Sequence, residues 1–270
     1  MPKAVIYSDL DGTLLDHNSY SFKAAAEALD LIRSKNIPLI FCTSKTRKEI
    51  ELYRRQLDND SPFISENGGG IFIPEDYFST DYNYDKKIDG YKVIALGTPR
   101  KELSNALKSI SEKTGIQIRG FSDMKVEEIA QLTNLEARIA QLAMERDYSE
   151  PFVIKEEKYA ATIEEEINLM GYMHTRGGRF HHILGGNDKG KAVKILTNIY
   201  KSEFGDIKTV GIGDSLNDLP MLQTVDISII VQKPSGSYEP EIKLSNLVHA
   251  DGIGPSGWNS SILKLFMNFD

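Results

Sequence analysis

The stretch KAVIYSDLDGTLLD, Lys3 to Asp16, constrains this chain more than any other. Val5, Ile6 and Tyr7 lie in an apolar run of the kind that forms a buried strand. The run ends in two aspartates two positions apart, Asp9 and Asp11, and then Gly12. If the strand continues that far, equal parity puts both carboxylates on one side. Like charges this close raise one carboxyl pKa strongly unless a cation neutralises them. The segment is therefore either a solvated turn or an acidic site built for a cation. Mg2+, which favours carboxylate oxygens and keeps some waters, is the natural candidate. An EF-hand loop is excluded, because the glycine comes too early and Tyr20 stands at the glutamate position.

Helical and strand patterns alternate at both ends of the chain. Ser21–Asn36 reads as a helix with Phe22, Ala25, Ala26, Leu29 and Ile32 inward, and IPLIFCTS as a second buried strand. Thr46 and Glu49 form a capping-box pattern that opens the next helix. SPFISENGGGIFIP reads as a strand, a glycine turn and a return strand. Further on come a helix over Lys189–Phe204, the strand KTVGIGD, a short helix near Leu219–Val225, the strand DISIIV and a helix from about Ser260. This alternation predicts an α/β fold, a doubly wound, Rossmann-like parallel sheet. The middle, with its own mixture of strands and charged helices, predicts an inserted α+β cap domain. The expected division is core over 1–84, cap over 85–184 and core again over 185–270.

Three further segments can carry chemistry. Asp214 and Asp218, in GIGDSLNDLP, form a second acidic cluster just past an apolar strand, with Asn217 between them. They either cap a helix or belong to the acidic site. A dinucleotide fingerprint is excluded there, since Leu216 occupies the position of its last glycine. Thr43 and Ser44 end the second strand before a helix N-terminus, where hydroxyls and backbone N–H groups either cap the helix or hold an oxyanion. Lys189, in GGNDKGK, stands at a glycine-flanked helix start, either exposed to solvent or facing a phosphate.

The bulk properties narrow the partners. A net charge of −7 argues against nucleic acid, whose binding rests on neutralising phosphates. No apolar run approaches the roughly 20 residues that span a bilayer. Cys42 is the only cysteine, which excludes an internal disulfide and a thiolate cluster. Acid at Asp9 breaks any signal-peptide core, so the cytoplasm is the expected compartment.

The order of these motifs is distinctive: acidic strand end, Thr/Ser strand end, lysine at a helix start, second acidic strand end. In this order the chain resembles the haloacid dehalogenase superfamily of phosphohydrolases. IFCTSKTRKEIELYRRQL, PFISENGGGIFIPEDYF, DYSEPF, GGRFHHILGGNDKGKA and GPSGW further resemble the mannosyl-3-phosphoglycerate phosphatase family. That resemblance implies Asp9 as a nucleophile that becomes an aspartyl-phosphate, and Asp11 as its acid/base partner. It implies Thr43 on the phosphate, Lys189 as the balancing cation, and Mg2+ on Asp9, Asp11 (through its backbone carbonyl) and Asp214. Asp218 and Asn217 are expected just outside the metal. The implied substrate is a phosphorylated sugar, mannosyl-3-phosphoglycerate, converted to the compatible solute mannosylglycerate. Its glucosyl counterpart, another sugar phosphate, or a sugar phosphomutase reaction are the alternatives, and a non-catalytic binder is disfavoured because every core position is filled. For the substrate's carboxylate and hexose, the candidates are Ser44, Lys45, Asn67, Gly68, Arg138, Ser149, Glu150, Arg179 and His181. Arg179 and His181 share strand parity, so one face could present both, with Phe180 and His182 on the other. Nothing in the sequence bears on assembly.

Overall fold

The computed structural model describes residues 2–177 and 180–267. In chain order the elements are β1 (Ala4–Ser8), α1 (Ala26–Ser34), β2 (Leu39–Cys42), α2 (Arg47–Gln56), β3 (Phe63–Ser65), β4 (Gly70–Pro74), β5 (Lys86–Ile88) and β6 (Tyr91–Ala95). Next come α3 (Arg100–Thr114), β7 (Ile118–Gly120), α4 (Val126–Thr133), α5 (Ala137–Met144), β8 (Ser149–Ile154), α6 (Ala160–Leu169), β9 (Met173–Gly177) and β10 (Phe180–Leu184). The chain continues with α7 (Lys189–Phe204), β11 (Lys208–Gly213), α8 (Leu219–Thr224), β12 (Ile227–Gln232), β13 (Leu247–Ile253) and α9 (Pro255–Phe266).

The larger sheet runs β13-β12-β11-β1-β2-β3-β4-β6-β5. Its first six strands are parallel, and the last three are added antiparallel. β1 is buried along its whole length because both faces are covered. Ala4 and Ile6 pack toward α1, α9 and Trp258, while Val5 and Tyr7 pack toward α7 through Ala192, Val193 and Leu196. Burial of a side chain such as Ile6 is worth about 1.5–3 kcal/mol, which explains why the strand has no polar residue before Ser8. Ser8 is tied from both sides: Trp258 Nε1 donates to its hydroxyl at 3.1 Å, and that hydroxyl donates to the Asp9 carbonyl at 2.7 Å.

A second sheet, β7-β8-β10-β9, is antiparallel and belongs to the cap. One face packs on α3 and α6 through Phe152, Ile163 and Ile183, and the other meets α4 and α5 through Phe121, Ile129 and Phe180.

Several expectations need correction. The cap does not begin at 85: β5 and β6 pair onto β4 and extend the core sheet, so the second sheet starts after Ala95. Val93 buries completely in the core, which is why that hairpin stays with it. The charged helical part of the middle forms two helices, α4 and α5, broken where Asn134 adopts a left-handed conformation. The last helix starts at Pro255 rather than Ser260, with proline in its first turn. Among the described residues no helix is long and apolar enough to cross a membrane.

Candidate active site

The carboxyl ends of the parallel strands converge, as they do at ligand sites of open α/β sheets. Asp9 follows β1, Thr43 follows β2, Asp214 follows β11, and Lys189 opens α7. Lys189 is fully buried at a helix N-terminus, a place that disfavours cations. Anions offset this cost: its ammonium donates to Asp9 Oδ1 at 2.7 Å and Asp218 Oδ1 at 2.6 Å. Burial works against its charge, but Asp218 and Asp9 outweigh it and raise its pKa. Asp218 Oδ2 accepts the backbone N–H groups of Asp214 and Ser215 at 3.0 and 3.1 Å, so both its oxygens are engaged. The turn is tight enough that a Cβ on Gly213 would lie 2.5 Å from that of Asp218. Gly12 is held at φ +75°, where a Cβ would come within 3.1 Å of Asp214 Oδ2.

Asp9, Asp214 and Asp218 each offer a carboxylate oxygen within 4.8 Å of the others. One ammonium faces three buried carboxylates, and the charge is not balanced. Burial, opposed by Lys189, pushes the Asp9 carboxyl up to about 8. Burial and then Asp218 push Asp214 up to about 6. A hard divalent cation fits this all-oxygen, over-acidic cluster. Since Asp218 is spent on Lys189 and on backbone, Asp9 and Asp214 are the side chains able to ligate.

Asp11 parts from Asp9 because β1 ends at Ser8 and the chain turns at Gly12. Its Oδ2 meets Lys45 Nζ at 2.9 Å, and its Oδ1 has no partner among the described residues. Lys45 is itself buried, also near Glu49 Oε1 at 3.4 Å, with the rings of Tyr20 and Tyr53 beside its ammonium. Burial opposes its charge, yet Asp11 and Glu49 hold its pKa well above the usual value.

Asp9, Asp11, Ser44, Lys45, Asp214 and Asn217 form the floor of a cavity of about 200 Å³. The cap forms its roof: Phe121, Leu135, Pro151 and Phe180, with three polar side chains, Thr133, Arg146 and His182. Phe121 and Phe180 meet edge to face at 5.0 Å. Cap and core are joined beside the cavity. Glu66, wholly buried in the core, accepts the N–H groups of Asp147 and Tyr148 at 2.8 and 3.1 Å and the Ser149 hydroxyl at 2.6 Å. Arg146 donates to the Ser44 carbonyl at 2.6 Å and to Ser149 Oγ at 2.9 Å, with Glu66 Oε2 at 3.5 Å.

The sequence model of the haloacid dehalogenase-like hydrolases matches residues 6–238. The chain is 51% identical, over 97% of both lengths, to a glucosyl-3-phosphoglycerate/mannosyl-3-phosphoglycerate phosphatase of Methanococcoides burtonii. It is 38% identical to a mannosyl-3-phosphoglycerate phosphatase of Pyrococcus horikoshii, over 84% of this chain and 90% of the relative. The chain belongs to the mannosyl-3-phosphoglycerate phosphatase family of haloacid dehalogenase-like hydrolases. It is a phosphatase with a phosphorylated small molecule as substrate. Its fold matches a Thermoplasma acidophilum protein with a TM-score of 0.70 at 20% identity, each chain covered to 99%. A haloalkanoate-superfamily phosphatase from Bacteroides thetaiotaomicron matches at 0.67 and 17% identity, covering 98% of this chain and 96% of that one.

In this phosphatase the expected core residues Asp9, Asp11, Asp214 and Asn217 line the cavity with Ser44 and Lys45. Lys189 and Asp218 join Asp9 from behind, and the Thr43 hydroxyl, which does not line the cavity, accepts from the Lys45 N–H at 3.3 Å. The candidates for the rest of the substrate fare differently. Asn67 and Gly68 do not line the cavity: Asn67 accepts from Asn217 Nδ2 at 3.1 Å, and Gly68 packs on the Asp188 carbonyl. Ser149 is spent on Glu66, and Glu150, wholly buried, pairs with Arg100 and accepts from Ser122 N at 2.6 Å. Arg138 is exposed on α5. His181 faces the opposite side of its sheet, stacked on Phe152 and 2.9 Å from His174. Arg179 lies outside the described residues. Arg146, Glu66 and His182 are the residues that the sequence reading missed. For His182 the signal was present in the strand alternation, which separates two faces without saying which one meets the core.

Proposed function

We propose that this phosphatase hydrolyses mannosyl-3-phosphoglycerate to mannosylglycerate and phosphate through an aspartyl-phosphate on Asp9. The buried Asp9–Lys189–Asp218 bridge carries this reading, because it holds the Asp9 carboxylate at the cavity floor with a compensating cation behind it. Asp9 attacks phosphorus, and the bond from phosphorus to the glycerate oxygen breaks. Asp11 gives its proton to the departing alkoxide, then takes one from the water that attacks the phospho-aspartate and frees Asp9. Its Oδ1, without a partner among the described residues, is the oxygen available for both transfers, while Lys45 fixes its other oxygen. Thr43 donates to a phosphoryl oxygen. Lys189 holds Asp9 and offsets phosphoryl charge, and Asp218 keeps Lys189 in place. Asp9, Asp214 and the Asp11 main-chain oxygen would hold Mg2+, which would supply charge neutralisation to a reaction that depends mainly on positioning and electrostatics. Residues 97–184 act as the lid that excludes water and reads the rest of the substrate.

The glucosyl compound is a second reading, favoured because the relatives at 51% and 43% identity carry both substrate names. Phosphate release from mannosyl-3-phosphoglycerate, glucosyl-3-phosphoglycerate, mannose 6-phosphate and 3-phosphoglycerate, with Mg2+ and with chelator, tests both. Metal-dependent preference for the mannosyl compound is the expected result. An equal rate on the glucosyl compound establishes the second reading, and activity confined to simple phosphates refutes both.

A further inference from the structure

The polar side chains in the cavity roof are in different states: the Thr133 hydroxyl is spent on the Ile129 carbonyl at 2.6 Å. Arg146 is committed, donating to Ser44, Ser149 and Ala143 beside Glu66. His182 is not. It is 6% exposed, it lines the cavity, and its Nδ1 has no hydrogen-bond partner among the described residues. Its cross-strand neighbours are Pro151 on β8 and Thr175 on β9, and neither bonds that nitrogen. A buried ring nitrogen left unpaired costs free energy, and such exceptions in a native fold call for a reason. Here a ligand filling the cavity would satisfy it.

The surroundings indicate what that ligand presents. With the phosphate fixed at Asp9 on the floor, the part of the substrate that reaches the roof is its far end. The roof there is apolar, with Phe180 two residues before His182 on the same strand face and Phe121 edge-on to it. An apolar wall with few convergent polar groups suits a ring with a C–H face and hydroxyls at its rim. Burial and then Arg146 depress the His182 pKa to about 3, so the ring is neutral and suited to a hydroxyl rather than to a carboxylate.

The geometry points to His182 as a specificity-determining residue that hydrogen-bonds a hydroxyl of the substrate's hexose, whose ring rests against Phe121 and Phe180. This rests on the glycosyl-phosphoglycerate reading above. The test is to compare kcat/KM of wild type, His182→Ala and His182→Gln on mannosyl-3-phosphoglycerate and on p-nitrophenyl phosphate, which has no sugar. Loss of one such hydrogen bond lowers the ratio of the two kcat/KM values roughly tenfold in the alanine variant, and glutamine restores part of it. An unchanged ratio, whether both activities hold or both fall together, overturns the assignment. If the alanine variant does not fold, the glutamine variant decides alone, since a contact that discriminates between hydroxyls must alter the mannosyl-to-glucosyl rate ratio. A wild type inactive on both glycosyl substrates overturns the substrate reading and the hexose assignment with it. A wild type active on them, with the variant ratios unmoved, overturns only the role of His182.

Discussion

At the scale of single residues, the floor of the site is a charge problem solved only in part. Three buried carboxylates share one lysine, and burial, with the neighbouring carboxylates adding to it, holds the Asp9 and Asp214 carboxyls above the usual range. Replacing Asp9 by asparagine keeps its shape and removes one of those charges. Asp9→Asn is expected to lower phosphate release by at least about 10³-fold. The same variant unfolds no earlier than wild type without metal, and gains less in Tm on adding Mg2+. Calorimetry with and without Mg2+ beside a phosphate assay checks both, and near-wild-type turnover refutes the nucleophile. The core residues were legible in the sequence because each stands at a strand end or helix start and their order resembles one superfamily, although each motif alone kept a plain structural reading. The roof residues were not. His181 and His182 are adjacent, and choosing between them requires knowing which face of β10 turns toward the core.

Among elements, the joins are made by side chains that cap or bridge backbone. Glu203, on α7, accepts the N–H groups of Ser79 and Thr80 at 3.1 and 2.7 Å and also the Thr80 hydroxyl. Those bonds, led by the Thr80 hydroxyl, pull its pKa from 4.5 down to about 2. A carboxyl depressed in the fold contributes stability above its unfolded pKa, and loses it as pH falls through the folded one. Glu203→Gln is therefore expected to lower the urea midpoint near neutral pH, with the gap to wild type closing as pH drops from 4.5 toward 2. A gap independent of pH refutes the linkage. Element types were readable wherever both faces of a strand are buried, as in β1 and β2. β5 and β13 escaped notice because each sits at a sheet edge, with mixed burial and no clean periodicity.

Across the whole molecule, the cap is held by one buried carboxylate as much as by packing. Glu66 lies in the core, yet its partners Arg146, Asp147, Tyr148 and Ser149 all belong to the cap. Glu66→Ala leaves Arg146 facing no anion in a buried setting, a change that typically costs about 3–5 kcal/mol. Hydrogen exchange at the Asp147 and Tyr148 amides is expected to rise at least about tenfold, with turnover of the glycosyl substrate reduced. Unaltered protection at both amides would mean that the carboxylate does not hold the cap.

The tie between Ser8 and Trp258 bears on how this molecule comes into being. The strand that leads to Asp9 is among the first parts of the chain to be synthesised, yet its parallel neighbour β11, from Lys208, and the indole of Trp258 that steadies Ser8 come much later. On the ribosome β1 can join β2 early, but the bond from Trp258 to Ser8 forms only after α9 has emerged. A nascent chain halted before residue 258 carries Asp9, Asp11, Lys189 and Asp214 and still lacks the indole that ties down the end of β1.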